Sequence, residues 1–149
     1  MDLWLSYEMP YDKEAERGAV GALLLAPREH AARMARRAGK GQFWDAGRGW
    51  LWERLAWAIR DGADWDHNGD LSWWLTRNRI RERFAEYFQG NALAEMSKCS
   101  ECFWWNGHYY IDRLLAAAKV RARIERATRD LSAALDMADE GRERASKWL

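Results

Sequence analysis

Residues 108–138 read HYYIDRLLAAAKVRARIERATRDLSAALDMA, a run with no proline and no glycine in it. At 1.5 Å per residue this stretch predicts one uninterrupted helix about 45 Å long. Along it Tyr110, Leu114, Ala117, Arg121, Ile124, Thr128, Leu131 and Leu135 recur at alternating spacings of four and three. That is the spacing of a heptad seam, apolar except at Arg121 and Thr128. A helix of this length outreaches a small globule, so part of the seam is expected to pair with another helix or a second subunit. Gly141 is expected to allow a bend into a short return helix ending at Trp148 and Leu149, so that the end of the chain forms a helical hairpin or a dimerisation arm.

Working outward from that run, the rest of the chain reads the same way. Its 149 residues, 17.5 kDa, suit one domain that buries roughly 70% of its unfolded surface. Only eight residues are β-branched (Val20, Val120, Ile59, Ile80, Ile111, Ile124, Thr76 and Thr128), too few to furnish a sheet. Only Pro10 and Pro27 could break a helix by ring closure. The expected fold is all-α, a compact bundle of about six helices.

Asp12 is placed to cap a first helix whose opening turn holds Glu14 and Glu16 and which stops before Pro27. A second follows with the apolar face Ala31, Met34, Ala35 and Ala38, ending at Gly39-Lys40-Gly41. Leu51, Leu55, Ala58 and Ile59 signal a third, with Trp52 on its flank, stopping at Asp61-Gly62. A polar loop, Asp64 to Asp70, leads to a fourth from about Leu71 to Gln89, and a short fifth covers Ala92 to Lys98. Residues 1–11 are expected to be a flexible arm, 12–107 the globular part and 108–149 the long helix with its short return.

Twenty-four basic and twenty-three acidic side chains nearly cancel, so no global field argues for nucleic acid or an acidic membrane as partner. Met1 to Pro10 carries Asp2 and Glu8 and lacks the pattern of a secretory signal, and the longest apolar run, Ala19 to Ala26, is too short to span a bilayer. A soluble, cytoplasmic protein without membrane contact is expected. The two cysteines, Cys99 and Cys102, fit a reducing compartment.

Four segments, in order, carry a resemblance. Met9-Pro10 followed by Glu14 to Leu25, then Phe43-Trp44-Asp45-Ala46 with Leu51-Trp52, then Asn91 to Met96, then Tyr109-Tyr110-Ile111 with Arg121, Arg123 and Ile124, resemble the amino-terminal domain of replicative DnaB-type helicases over nearly the whole chain. Two departures stand out: Arg48 where that family commonly has histidine, and Cys99 to Asn106, with two tryptophans, where it has a polar Ser/Asn turn. The sequence contains no G-x-x-x-x-G-K-[ST] phosphate loop, so an ATP-driven motor is not expected of it.

The resemblance implies a collar-type interaction module without enzymatic activity or cofactor. It also implies a homo-oligomer, dimer or higher, that docks a replication protein such as the helicase, a primase or a loader, in support of them or in competition. Val20, Leu23 and Leu24 would lie in the globular core. The seam residues Tyr110, Leu114, Ala117, Ile124, Leu131 and Leu135 would lie at the interface.

Other constellations are weaker. Asp64 to Ser72 copies the first half of a calcium loop, but position twelve is Leu75 rather than glutamate, so a solvated loop is expected. Cys99 and Cys102 have zinc-knuckle spacing without a second pair to complete four ligands, so no metal is expected. No nucleophile elbow or H-E-x-x-H occurs. Arg33, Arg36, Arg37 and Lys40 recur on one helix face, Arg77, Arg79, Arg81 and Arg83 crowd another, and Arg121 and Arg123 belong to a basic stretch of the last helix. Such faces, interleaved with tryptophan, give an alternative reading, a small DNA-binding protein. Of the eleven tryptophans, Trp50, Trp52 and Trp57 cannot all face inward on one helix, nor can Trp73-Trp74 or Trp104-Trp105, so some indoles are expected at the surface.

Overall fold

The computed structural model describes residues 9–60, 75, 78–88, 92–101 and 103–148. Its elements are helical: α1 (Lys13–Leu25), α2 (Arg28–Ala35), α3 (Ala46–Arg60), α4 (Ile80–Phe88), α5 (Ala92–Ser100) and α6 (Gly107–Ser146), with single 3-10 turns at Lys40–Gln42 and Trp104–Asn106. No strand occurs among the described residues. The all-α expectation holds, ending in the long helix.

Local chemistry explains most boundaries. Asp12 stands at the N-cap of α1 and its Oδ1 accepts from the Ala15 amide at 3.0 Å, with Glu14 and Glu16 against the helix dipole. Pro27 separates α1 from α2. Asp45 caps α3, accepting from the Arg48 amide at 2.8 Å. The fourth helix is shorter than its sequence pattern suggests: Asn78 and Arg79 form a turn, and Arg79, at φ 52°, cannot belong to a right-handed helix, so α4 starts at Ile80. Residues 61–74, which include the calcium-like loop and Trp73-Trp74, lie outside the described residues, as do Arg77 and Cys102.

At the far end Gly141 sits inside α6, which runs on to Ser146, and no return helix or hairpin forms among the described residues. Glycine costs about 1 kcal/mol against alanine in a helix, but it keeps its amide and clashes with nothing. The good helix formers around it carry the helix through. Forty residues make α6 about 60 Å long.

Two compact units divide the chain: residues 11–118, and residues 119–149 together with the described residues ahead of Tyr11. In the first, α1 packs on α3 and α5, α2 on α1 and α3, and α4 on α3 and α5. The core holds Val20 and Leu23 of α1, Met34 of α2, Leu51, Trp52 and Leu55 of α3, Ile80 and Phe84 of α4, Met96 and Cys99 of α5, and Ile111 and Leu114 of α6. Trp52 is fully buried rather than flanking: its ring packs 5.4 Å from Phe43 and its indole N–H donates to the Ala38 carbonyl at 3.0 Å. Trp50 and Trp57, seven residues apart and so on one helix face, are half-buried and exposed. Close packing depends on the small face of α1, where the Tyr110 ring lies directly on Gly18.

Candidate functional site

Two places concentrate unusual chemistry, one a buried charge network in residues 11–118 and the other the distal half of α6. The network begins with Glu16, one turn into α1 and on the side that carries Ala19 and Leu23 into the core. Its carboxylate is 1% exposed and accepts from the amides of Trp44 at 2.9 Å and Asp45 at 3.2 Å and from Arg48 Nε at 3.1 Å. Arg48, 3% exposed, continues to Glu95 Oε1 at 2.9 Å. Glu95 in turn takes both prongs of Arg17, at 2.9 and 2.7 Å.

Two acids and two arginines thus join α1, α3 and α5 with no net charge. Burial would raise the Glu95 carboxyl, but hydrogen bonds from Arg17 and then Arg48 outweigh it and hold the group below the ordinary glutamate value. The same bond raises Arg17 above an ordinary arginine. A shallow cleft between α1 and α5, lined by Tyr11, Lys13, Arg17, Asp45 and Lys98 among others, opens beside this network. Its acids and bases satisfy one another, as a structural clamp requires. Sequence reading saw Arg48 only as a departure from a family pattern. An acid on the inward side of α1 was the signal that could have found its partner.

In the long helix the seam falls into two parts. Tyr110 is half-buried over Gly18, Leu114 is buried and Ala117 is half-buried, so these three serve the helical core. Further on, Ile124, Thr128 and Leu131 are half-buried, Leu135 is 38% exposed, and every residue from Ser132 to Trp148 is exposed, with Met137 and Trp148 among them. The two polar interruptions of the seam are satisfied. Arg121 is buried and donates to the Pro10 carbonyl at 3.0 Å, and the Thr128 hydroxyl donates to the Ile124 carbonyl one turn back at 2.8 Å.

The basic residues are less uniform than their spacing suggests. Arg33, Arg36 and Arg123 are exposed. Arg37 pairs with Asp112 and donates to the His108 carbonyl at 3.1 Å, Lys40 lies 3.5 Å from Glu53, and Arg121 is held by Pro10. Of the fourth helix's arginines, Arg81 and Arg83 are exposed on α4 and Arg83 lies over the Trp50 ring at 5.3 Å, whereas Arg79 sits in the preceding turn.

Ahead of α6, Phe103 and Trp105 are exposed and stacked at 4.7 Å, while Trp104 turns inward onto His30 at 5.0 Å. Neighbouring tryptophans therefore part company, as the helical angle requires. Cys99 is buried and is not in a disulfide. Among the described residues, no three His, Cys, Asp or Glu side chains are gathered to hold a metal ion, and no helix is long and apolar enough to cross a membrane.

No family model, curated protein or solved structure matches the chain.

Proposed function

We propose that this chain is a non-enzymatic interaction module that self-associates through the distal half of α6 and docks a replication protein, helicase, primase or loader. The role is the one implied by its resemblance to the amino-terminal collar domain of DnaB-type helicases. One observation carries the self-association: α6 continues for about four turns, Ser132 to Ser146, with every residue exposed. Isolated helices of that length are marginal in water, and packing an apolar stripe is what ordinarily stabilises them. Leu131 and Leu135 supply apolar surface on one face, and Arg121 and Thr128 add no unsatisfied polar atom to the seam.

Light scattering on the purified chain tests this directly. A dimer or larger assembly that Leu131→Asp converts to monomer supports the reading, and a monomer at all concentrations up to about millimolar sinks it. For the docking role, co-elution with purified replicative helicase, primase or loader is the expected result. Independent elution from all three would leave only the self-association.

A second reading, single-stranded DNA binding, is supported by the exposed Phe103–Trp105 stack and by Arg33, Arg36 and Arg123. It has fewer cations at its disposal than the sequence offers, because Arg37, Lys40 and Arg121 already have partners. A fluorescence titration with a labelled oligonucleotide separates the two, since this reading requires affinity that falls steeply with salt.

A further inference from the structure

A cleft of about 380 Å³, a volume ordinary for a small-molecule site, lies between the end of α2 and the outer face of α3. Ala35, Ala38 and Ala56 line it with small side chains. Trp57 forms a wall, 47% exposed and with no stacking partner among the described residues. The rim is charged: Lys40, Arg54 and Arg60 stand against Glu53 alone, a formal surplus of two positive charges. The spacing of Glu53, Arg54, Trp57 and Arg60 puts them on the same side of α3.

Arg54 is poorly satisfied where it stands. Its Nε is shielded from water and has no hydrogen-bond partner. Glu53, its neighbour in the chain, approaches Nη2 only to 3.9 Å, and the guanidinium lies 5.9 Å from the centre of the Trp50 ring. A charged donor held without an acceptor gains from any anion that lets the side chain turn. Turning it toward the cleft leaves Trp50 covered, because the Arg83 guanidinium lies 5.3 Å from the same ring. The Ala38 carbonyl, which would repel an anion, is already engaged by the Trp52 indole N–H at 3.0 Å.

We propose that this cleft binds a small phosphate monoester carrying a flat ring, a nucleoside monophosphate being a common example. The ring stacks on Trp57, where the three alanines leave it room. A phosphate monoester carries about two negative charges at pH 7, which matches the surplus on the rim, and the planar fork of Arg54 suits its oxygens. A carboxylate, or a phosphodiester inside a nucleic-acid strand, carries one charge and leaves the rim under-neutralised. The site uses no residue of α6, so it stands apart from the self-association reading.

Calorimetric titration of the whole chain with adenosine monophosphate tests this. Saturable binding with a dissociation constant below about 1 mM is the expected result. Adenosine, which lacks the phosphate, and inorganic phosphate, which lacks the ring, are each expected to bind more weakly by about tenfold or more. Arg54→Gln and Trp57→Ala, checked by circular dichroism for an unchanged helix content, are each expected to weaken the nucleotide by about tenfold or more. Arg36→Gln, at an exposed arginine outside the cleft, is expected to leave the affinity unchanged.

The absence of saturable heat up to about 10 mM nucleotide would overturn the proposal. So would binding that survives both cleft substitutions, which would put the nucleotide elsewhere on the chain. Inorganic phosphate as tight as the nucleotide would leave only a cationic surface, adenosine as tight would leave only a stacking one, and either overturns the joint recognition of ring and phosphate. A dinucleotide with a single phosphodiester that binds as tightly as the monophosphate would overturn the monoester and assign the cleft to a nucleic-acid strand.

Discussion

Arg48 Nη1 lies 2.9 Å from Glu95 Oε1, both side chains almost fully buried, so that one guanidinium ties α3 to α5 while its Nε holds Glu16 of α1. Removing it leaves Glu16 in the interior with only the Trp44 and Asp45 amides, while Glu95 keeps Arg17, and breaking a buried pair in this way costs about 3–5 kcal/mol. Arg48→Ala is therefore expected to lower the urea midpoint without altering the slope, measured by the loss of helical circular dichroism. Arg48→Lys is expected to recover only part of the loss, because an ammonium cannot serve the two acids with a planar fork. A midpoint within about 0.5 kcal/mol of the parent for Arg48→Ala would show that the network contributes little.

The same network sets an acid limit. Glu95 titrates below an ordinary glutamate because Arg17 and Arg48 bond its ionised form more strongly than burial opposes it. A carboxyl depressed in the folded state contributes stability that is fully present above its unfolded value, near pH 4.3. That stability is lost as pH falls from there through the lower folded value. Thermal melts from pH 7 to pH 3 are expected to be flat until about pH 5 and then to fall. Glu95→Gln is expected to melt lower at pH 7 and to lose less on acidification. An equal acid response in both proteins would assign the fall to other carboxylates.

How far the chain could be read before folding depends on the range of the interactions involved. Helix ends were legible at Asp12 and Pro27 because a cap or a ring acts on its immediate neighbours. Arg79 was not, since nothing in its own chemistry favours a positive φ. Gly141 misled in the other direction: it weakens a helix without forbidding one, and its neighbours decided the outcome. Trp52 read as flanking because its burial depends on Phe43 and the Ala38 carbonyl, which arrive from outside α3. The seam was visible as a period, but its division at Ala117 was not, because periodicity does not say where the other helices stop. Least visible was the charge network, whose members are up to 79 positions apart in the chain and meet only through tertiary packing.

A second clamp ties the start of α1 to α6. Arg113 donates through Nε and Nη2 to both oxygens of Asp12, at 2.8 and 2.9 Å, and lies over the Tyr109 ring. Asp12 is also the cap of α1. Asp12→Ala loses both functions and is expected to cost about 1–2 kcal/mol. Asp12→Asn keeps a capping oxygen and loses only the charge, and because the pair is partly exposed its cost is expected below about 1 kcal/mol. Chemical denaturation of the two variants checks this, and equal losses would mean that the charge, not the cap, matters at this corner.

Gly18 and Gly141 are expected to respond in opposite senses to the same added methyl. At Gly18 a Cβ would drive into the root of the Tyr110 ring, which cannot swing aside as a flexible chain end could, since its own Cα is fixed on α6. Overpacking of this kind costs about 1–3 kcal/mol. At Gly141 a Cβ meets nothing within 4 Å, and the residue is already helical. Alanine there removes only glycine's extra freedom in the unfolded chain, a gain of about 0.5–1 kcal/mol. Because α6 beyond Ser132 is exposed throughout, that gain is local to its end. Amide exchange read residue by residue is therefore the measurement that detects it: slower exchange for residues 140–146 in Gly141→Ala, and faster exchange across α1 in Gly18→Ala. A Gly18→Ala protein as stable as the parent would mean that α1 and α6 are not packed as closely as the Gly18–Tyr110 contact implies.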